Sequence, residues 1–322
     1  MAHAKSFDVE KVRADFPILS KQVYGKPLIY LDNAASAQKP KQVLDRMVYA
    51  YEHEYANVHR GLHYLANAAT EAFEHARETV RAFINAASTD EIIFTRNATE
   101  AMNLVAASLG RMVLKEGDEI ILSVMEHHSN IVPWHFHRER HGAVIKWIPC
   151  DERGVLDLDA YEKLFTPRTK IVAISQMSNV LGTINPIAEM VKIARKHGAY
   201  IMVDGCQGAV HVPTDVRALD VDFYCLTGHK LYGPTGIGVA YGKRALLEKM
   251  PPFNGGGEMI SVVTEDSVTY NEPPHRFEAG TPPIVQAIGL GAALDYMQSM
   301  DRAAALKHEE SLGHYAMERL SE

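Results

Sequence analysis

A chain of 322 residues, 47% hydrophobic and 23% charged, can bury a large core as one big domain with a smaller piece attached. The charged share is that of ordinary globular proteins, which excludes disorder, and a formal net charge of −7 speaks against a general nucleic-acid binder with a basic face. No stretch is long and apolar enough to span a bilayer, and the opening Met1-Ala2-His3-Ala4-Lys5-Ser6 lacks the apolar centre of an export signal. Cys150, Cys206 and Cys225 have no metal-type spacing, so a reduced, cytoplasmic location without membrane or nucleic-acid partners is expected.

Taken in chain order, the elements predict an α/β protein. A helix over 67–84 puts Ala69, Ala72, Phe73, Ala76, Val80 and Phe83 on one apolar stripe. Beyond it, apolar β-branched runs at 91–94, 119–123, 144–148, 170–175, 200–204, 222–226 and 237–241 read as strands. Helical patterns lie near 98–110, 130–141, 157–165 and 186–197. This alternation builds a mostly parallel sheet covered by helices on both faces. Residues 251–283, rich in Gly and Pro, read as a long irregular binding segment, the alternative being a disordered insertion. A charged, weakly striped helix is expected over 302–320, and no repeat or low-complexity tract is present.

In such sheets ligands sit beyond the carboxyl ends of the strands, where the suggestive side chains gather. Asp204 ends one apolar strand, and Lys230 follows the next within Thr227-Gly228-His229-Lys230. A lysine amine able to form a Schiff base and a carboxylate able to hold a protonated pyridine nitrogen are the two groups pyridoxal 5′-phosphate (PLP) needs together. The bland alternatives are a solvated lysine and a helix-capping aspartate. His127, in Glu126-His127-His128, stands where an imidazole can lie on a ring and pass protons. Zinc held by His127, His128, His135 and His137 is disfavoured, since the stretch lacks the i, i+4 pair of a metal motif. Asn97-Ala98-Thr99 opens a helix and offers either a phosphate site or an ordinary cap, with Thr227 and His229 as further donors. Cys206 could be a nucleophile or a buried small residue. The glycines of Gly233 to Gly238 are in the wrong order for a dinucleotide fingerprint, and Gly289-Leu290-Gly291 lies inside a helical pattern.

Blocks along nearly the whole chain resemble the class V aminotransferase family of fold-type I PLP enzymes, and within it the SUF-system (group II) cysteine desulfurases. They include Val12-Arg-Ala-Asp-Phe-Pro17, Tyr30-Leu-Asp-Asn-Ala-Ala-Ser-Ala-Gln-Lys-Pro40, Asn57-Val-His-Arg-Gly61 and Met125-Glu-His-His-Ser-Asn-Ile-Val-Pro-Trp134. Ser178-Asn-Val-Leu-Gly-Thr183, Thr227-Gly-His-Lys-Leu-Tyr-Gly-Pro-Thr-Gly236 and Arg276-Phe-Glu-Ala-Gly-Thr-Pro282 complete the set. The resemblance implies Lys230 as the Schiff-base lysine, His127 as the stacking and proton-relaying histidine, and Asp204 as partner of the pyridine nitrogen. It further implies Gln207 facing the phenolic oxygen, Ala98, Thr99, Thr227 and His229 around the phosphate, and Asn179 and His59 in the substrate pocket. Thr281 would reach the phosphate of a neighbouring subunit, which implies a homodimer.

The implied activity converts L-cysteine to L-alanine and passes sulfur, as a persulfide, to a SUF-type acceptor for iron–sulfur cluster assembly. The implied domains are an N-terminal segment over 1–20 that belongs with a small domain, a large domain over 21–295, and the start of the small C-terminal domain over 296–322. Relatives of this kind continue past Glu322 into a part that holds the persulfide cysteine and a substrate-gripping arginine, so a truncated chain of weak or no desulfurase activity is expected. Two other readings are a selenocysteine lyase or other class V enzyme, which would share the machinery, and a non-catalytic PLP-fold binding protein.

Overall fold

The computed structural model describes residues 7–322, so the first six residues of the expected N-terminal segment lie outside the described residues. A seven-stranded sheet forms the centre: β1 (Ile92–Thr95), β2 (Glu119–Ser123), β3 (Val144–Ile148), β4 (Thr169–Ser175), β5 (Tyr200–Asp204), β6 (Phe223–Thr227) and β7 (Gly238–Gly242). Their spatial order is β1-β7-β6-β5-β4-β2-β3. β7 is antiparallel to both neighbours, and every other pairing is parallel. All strands except β7 therefore point the same way, and their carboxyl ends share one edge of the sheet. The chain reverses its order between β4 and β2, the kind of crossover that opens a crevice for ligands.

These strands match the expected runs to within about a residue at each end, the usual slack in such boundaries. Two end residues drop out for a visible reason. The Glu91 carboxylate turns back to accept the Ala87 N–H at 2.9 Å, closing a single helical turn before β1. Asp222 accepts the Ile201 N–H at 2.8 Å and pairs with Arg195, which makes it the anchor of the turn into β6.

Successive strand residues serve opposite layers. Ile92 and Phe94 join one buried cluster while Ile93 joins the other, and the same alternation splits Val203 from Met202 and Leu226 from Cys225. Because both layers are dry, the strands read as unbroken apolar runs. On the first face lie α1 (Lys41–Tyr49), α2 (Tyr64–Phe83), α5 (Ile187–Lys196) and α6 (Ile284–Ser299); α3 (Ala98–Val113) and α4 (Val132–His141) cover the second. α6 is apolar all round, as a helix buried between others must be. Its Gly291 explains the glycines in that pattern: a Cβ there would stand 3.0 Å from the Ala76 Cβ, so only glycine lets α2 approach this closely. The expected last helix is present as α7 (Arg302–Leu320).

The region 251–283 is not irregular throughout. Ile260–Val263 and Val268–Tyr270 form an antiparallel hairpin whose turn is closed by Thr264 and Ser267 side chains. Its short strands are hidden among glycines and prolines, which is why the composition reads as loop.

The far end of that region is anchored by Glu278. Arg77, fully buried on α2, meets both Glu278 carboxylate oxygens at 2.6 and 2.9 Å and also donates to the Ile92 carbonyl at 2.7 Å. Glu278 accepts the Phe94 N–H at 2.6 Å, and the guanidinium lies 4.6 Å from the Phe94 ring centre. Glu74 extends the chain of contacts from Arg77 Nε (2.9 Å) to His59 Nε2 (2.8 Å). Burial opposes ionisation of Glu74, yet hydrogen bonds from His59 and Arg77 and the Arg77 charge hold its carboxyl down at about 2. Replacing Arg77 by Met would leave the Glu278 carboxylate buried without a cation. The expected loss is about 3–5 kcal/mol of unfolding free energy in urea titrations; a loss within error of zero would show that Glu278 finds water or another donor.

Candidate active site

The register of the sheet assembles the site. Thr95, Gly238 and Thr227 pair side by side across β1, β7 and β6. A Cβ on Gly238 would lie 2.3 Å from the Asn97 carbonyl carbon and 2.7 Å from the Ala98 nitrogen. The missing side chain therefore lets the start of α3 settle directly over the strand ends. Asn97 caps α3 by accepting the Glu100 N–H at 2.9 Å, while the N–H groups of Ala98 and Thr99 have no intrahelical acceptor. Thr99 is exposed, and the buried Thr227 hydroxyl has no hydrogen-bond partner among the described residues. An orphan hydroxyl beside a helix N-terminus fits a phosphate group.

Next along the edge, Ser175, Asp204 and Cys225 pair in register across β4, β5 and β6. Asp204 is buried and accepts the Cys206 N–H at 2.9 Å, but it has no ion-pair partner among the described residues. A buried carboxylate in that state fits a cationic ring nitrogen. His127 follows β2, exposed on the same edge. Its Nδ1 accepts the Ser129 N–H at 3.2 Å and contacts the Ser129 hydroxyl at 2.7 Å. The neutral ring therefore carries its proton on Nε2, an assignment made from the hydrogen bonds. Burial pushes this imidazole below its ordinary pKa, against the opposing pull of the Asp204 carboxylate and with help from the Lys230 charge. His127 thus lies within the fields of both groups.

Lys230 ends a short helical turn after β6 and is half-buried; its ammonium has no ion-pair partner among the described residues. It faces a cavity of about 740 Å³ bounded by the N-terminal segment, the loop 177–182 and α7. Gln207 and Asn179 line the same cavity. In this structure the Gln207 amide donates to the Ala34 carbonyl at 2.8 Å, so it is fixed rather than free. His229 lies beside Lys230, with Nδ1 3.3 Å from the Ser36 hydroxyl; burial lowers its pKa, and the Lys230 and Lys39 charges add to that.

His59 and Thr281 are not among the residues lining this cavity. His59 adopts φ 66°, packs its ring against Phe73 and His275, and ends the Glu74–Arg77 chain. Thr281 is exposed, just after Gly280, whose N–H donates to Gly257. The crowd of histidines separates: buried His137 bonds the Ala106 carbonyl at 2.8 Å and lines a smaller hollow of about 260 Å³ between α3 and α4, away from Lys230. Cys206 is a poor nucleophile, since burial and the Asp204 carboxylate push its thiol well above the usual value.

Two groups escaped sequence reasoning. Lys39 donates to the His229 carbonyl at 3.2 Å, and burial pushes its amine down to about 8. Glu126 is buried among Ser123, Asn130 and Ser175, and burial pushes its carboxyl up to about 7. The one available signal was a carboxylate three residues beyond a strand whose centre, Ile120-Ile121-Leu122, is apolar.

Known proteins resemble the chain in family and fold over nearly its whole length. The family described as aminotransferase class-V matches residues 29–322. The chain is 52% identical over 316 residues to a cysteine desulfurase of Escherichia coli (strain SE11), covering 98% of this chain and 78% of that relative. Among solved structures, the cysteine desulfurase CsdA (S-sulfonic acid) from Escherichia coli superposes with a TM-score of 0.91 at 43% identity, over 98% of this chain and 78% of that one. The apo cysteine desulfurase of Thermococcus onnurineus NA1 gives 0.92 at 38% identity, over 100% of this chain and 78% of that one. With the family matched over nearly all its length and the fold shared with cysteine desulfurases, the chain belongs to the class-V aminotransferase family.

Proposed function

We propose that the chain is the PLP-binding, cysteine-activating part of a cysteine desulfurase, working in iron–sulfur cluster assembly with a SUF-type sulfur acceptor. The observation that carries this reading is the shared strand edge on which an uncompensated buried carboxylate, a neutral imidazole, an unpaired amine and an orphan hydroxyl stand together. The high identity to cysteine desulfurases supports the same substrate. Bound PLP supplies an aldehyde that amines can capture and a ring that withdraws electrons. Every other task falls to groups of the chain itself.

In this reading Thr227, His229, Thr99 and the Ala98 N–H group hold the phosphate. Asp204 would keep the ring nitrogen charged, Gln207 would face the phenolic oxygen in exchange for its bond to Ala34, and His127 would cover the ring face. Lys230 Nζ anchors the cofactor and moves protons; His127 Nε2, which bears the ring proton, is the second proton carrier. Asn179 would contact the cofactor and the substrate; His59, outside this cavity, would have to reach the substrate from beyond its lining.

The remaining parts of the reading concern assembly and the sulfur step. Residues 1–20 and 296–322 are proposed to share a small domain, apart from the large domain over 21–295. In support, the Phe7 and His308 rings lie 5.5 Å apart and the Tyr296 hydroxyl donates to Asp15 at 3.0 Å. A homodimer, with Thr281 reaching a partner's phosphate, is supported by the exposed Val48, Tyr49, Tyr51, Tyr55, Leu62 and Tyr64, a run of apolar surface that monomers rarely leave wet. Sedimentation velocity should give about twice the chain mass of 35.8 kDa; a single species at the chain mass would end the dimer reading.

Mixed with PLP, the protein should turn yellow, and Lys230→Ala should abolish the absorbance band. Asp204→Asn should keep the band but weaken PLP binding about 10- to 100-fold. Colour that survives the loss of Lys230 would sink the assignment.

Burial and the Asp204 carboxylate push the thiols of half-buried Cys206 and buried Cys225 well above the usual value, so neither is a ready persulfide nucleophile at the site. Incubation with L-cysteine should therefore release sulfide and alanine far more slowly than a longer relative does. An equal rate would refute that expectation, and a rate preference for selenocysteine over cysteine would favour a lyase instead.

A further inference from the structure

Glu126 takes no part in the reading above, yet it is buried one residue before His127. One carboxyl oxygen contacts the Ser123 hydroxyl at the end of β2 and, at 3.4 Å, the Ser175 hydroxyl at the end of β4. The other accepts from the Asn130 amide at 2.7 Å, and Asn130 in turn accepts from the Trp134 indole at 3.4 Å. These contacts tie the turn bearing His127 to two strands. All of the partners are neutral.

The charged group facing Glu126 is the Asp204 carboxylate on β5, one strand beyond Ser175; His127 and His128 follow on its own segment. Two buried carboxyls so placed cannot both ionise without a large cost. Asp204 accepts the Cys206 N–H and, in the reading above, faces a cationic ring nitrogen, whereas no cation faces Glu126 among the described residues. The side chains around Glu126 are two hydroxyls and an amide, which suit a neutral acid as well as an anion.

We propose that Glu126 is a positioning residue acting as a neutral carboxylic acid, which latches the His127 turn to β2 and β4. The proposal rests on the roles given to His127 and Asp204 above. In the neutral form the acid O–H donates to a serine hydroxyl while the carbonyl oxygen keeps the Asn130 amide. Burial, which pushes the carboxyl up to about 7, acts in the same direction. The linkage has a definite sign. An acid whose pKa is raised on folding stabilises the fold below its unfolded value of about 4.3, and that contribution fades as pH rises through the folded value.

Glu126→Gln separates the possibilities, since the amide can offer its carbonyl to Asn130 and its NH2 to the serines but cannot ionise. Urea unfolding of the ligand-free chain, between about pH 5 and pH 8, should show wild type losing stability relative to Gln as pH rises. In a Trp147→Phe background, Trp134 emission should titrate over the same range in wild type and stay flat with Gln. PLP affinity should fall less than about threefold with Gln and at least about tenfold with Ala. If the Ala variant does not fold, the Gln variant alone decides. A Gln-to-wild-type difference that ignores pH, or a Gln variant that binds PLP as weakly as one lacking the side chain, would overturn the proposal. The unfolding and emission arms need no cofactor, so a wild-type chain that failed to bind PLP would sink the reading of the site while Glu126 was still judged.

Discussion

The site depends on strand register. Neighbouring strands, parallel or antiparallel, cannot slide by one residue without moving every buried side chain to the opposite layer, and here both layers are filled. The pairing of Thr95 with Gly238 and of Gly238 with Thr227 is therefore fixed by the core, not by the site. The same holds for Ser175, Asp204 and Cys225. Packing energy spent on isoleucines and valines holds polar groups in line at the edge. That edge then needs few contacts of its own.

Gly238 joins the two scales. It is a strand residue whose absent Cβ admits the first turn of α3, so the helix N-terminus and the Thr227 hydroxyl meet at one corner. A phosphate bound there would be held by backbone N–H groups and a hydroxyl whose positions are set before any ligand arrives, which lowers the entropy cost of binding. The carboxyl side of the edge works differently. Asp204 and Glu126 lie on either side of Ser175: Asp204 accepts the Cys206 N–H, while Glu126 meets two hydroxyls and an amide and no cation among the described residues.

A separate buried network secures the outer elements. Arg77 binds Glu278, Glu74 and the backbone of β1 at once, so the segment leading to Thr281 and the turn bearing His59 are fastened to the same strand that leads into α3. Such a pair adds little net stability over a well-packed apolar core, but it is strongly directional. Its value here is geometric: two segments distant in sequence are held at one end of the sheet.

The sequence by itself determined the α/β class, the strand positions and Lys230, Asp204 and His127 as candidates, because periodicity, strand-ending polar residues and a lysine after a strand are local features. Even the family could be read from its ordered blocks. The hairpin within 251–283 was obscured by composition, since short strands among glycines and prolines lack a clear period. Tertiary structure alone decided that Gln207 is tied to Ala34, that His59 stands outside the large cavity, and that Glu126 sits beside Asp204. Those facts depend on which strands become neighbours, and the order β5-β4-β2 follows from crossovers that no local pattern encodes.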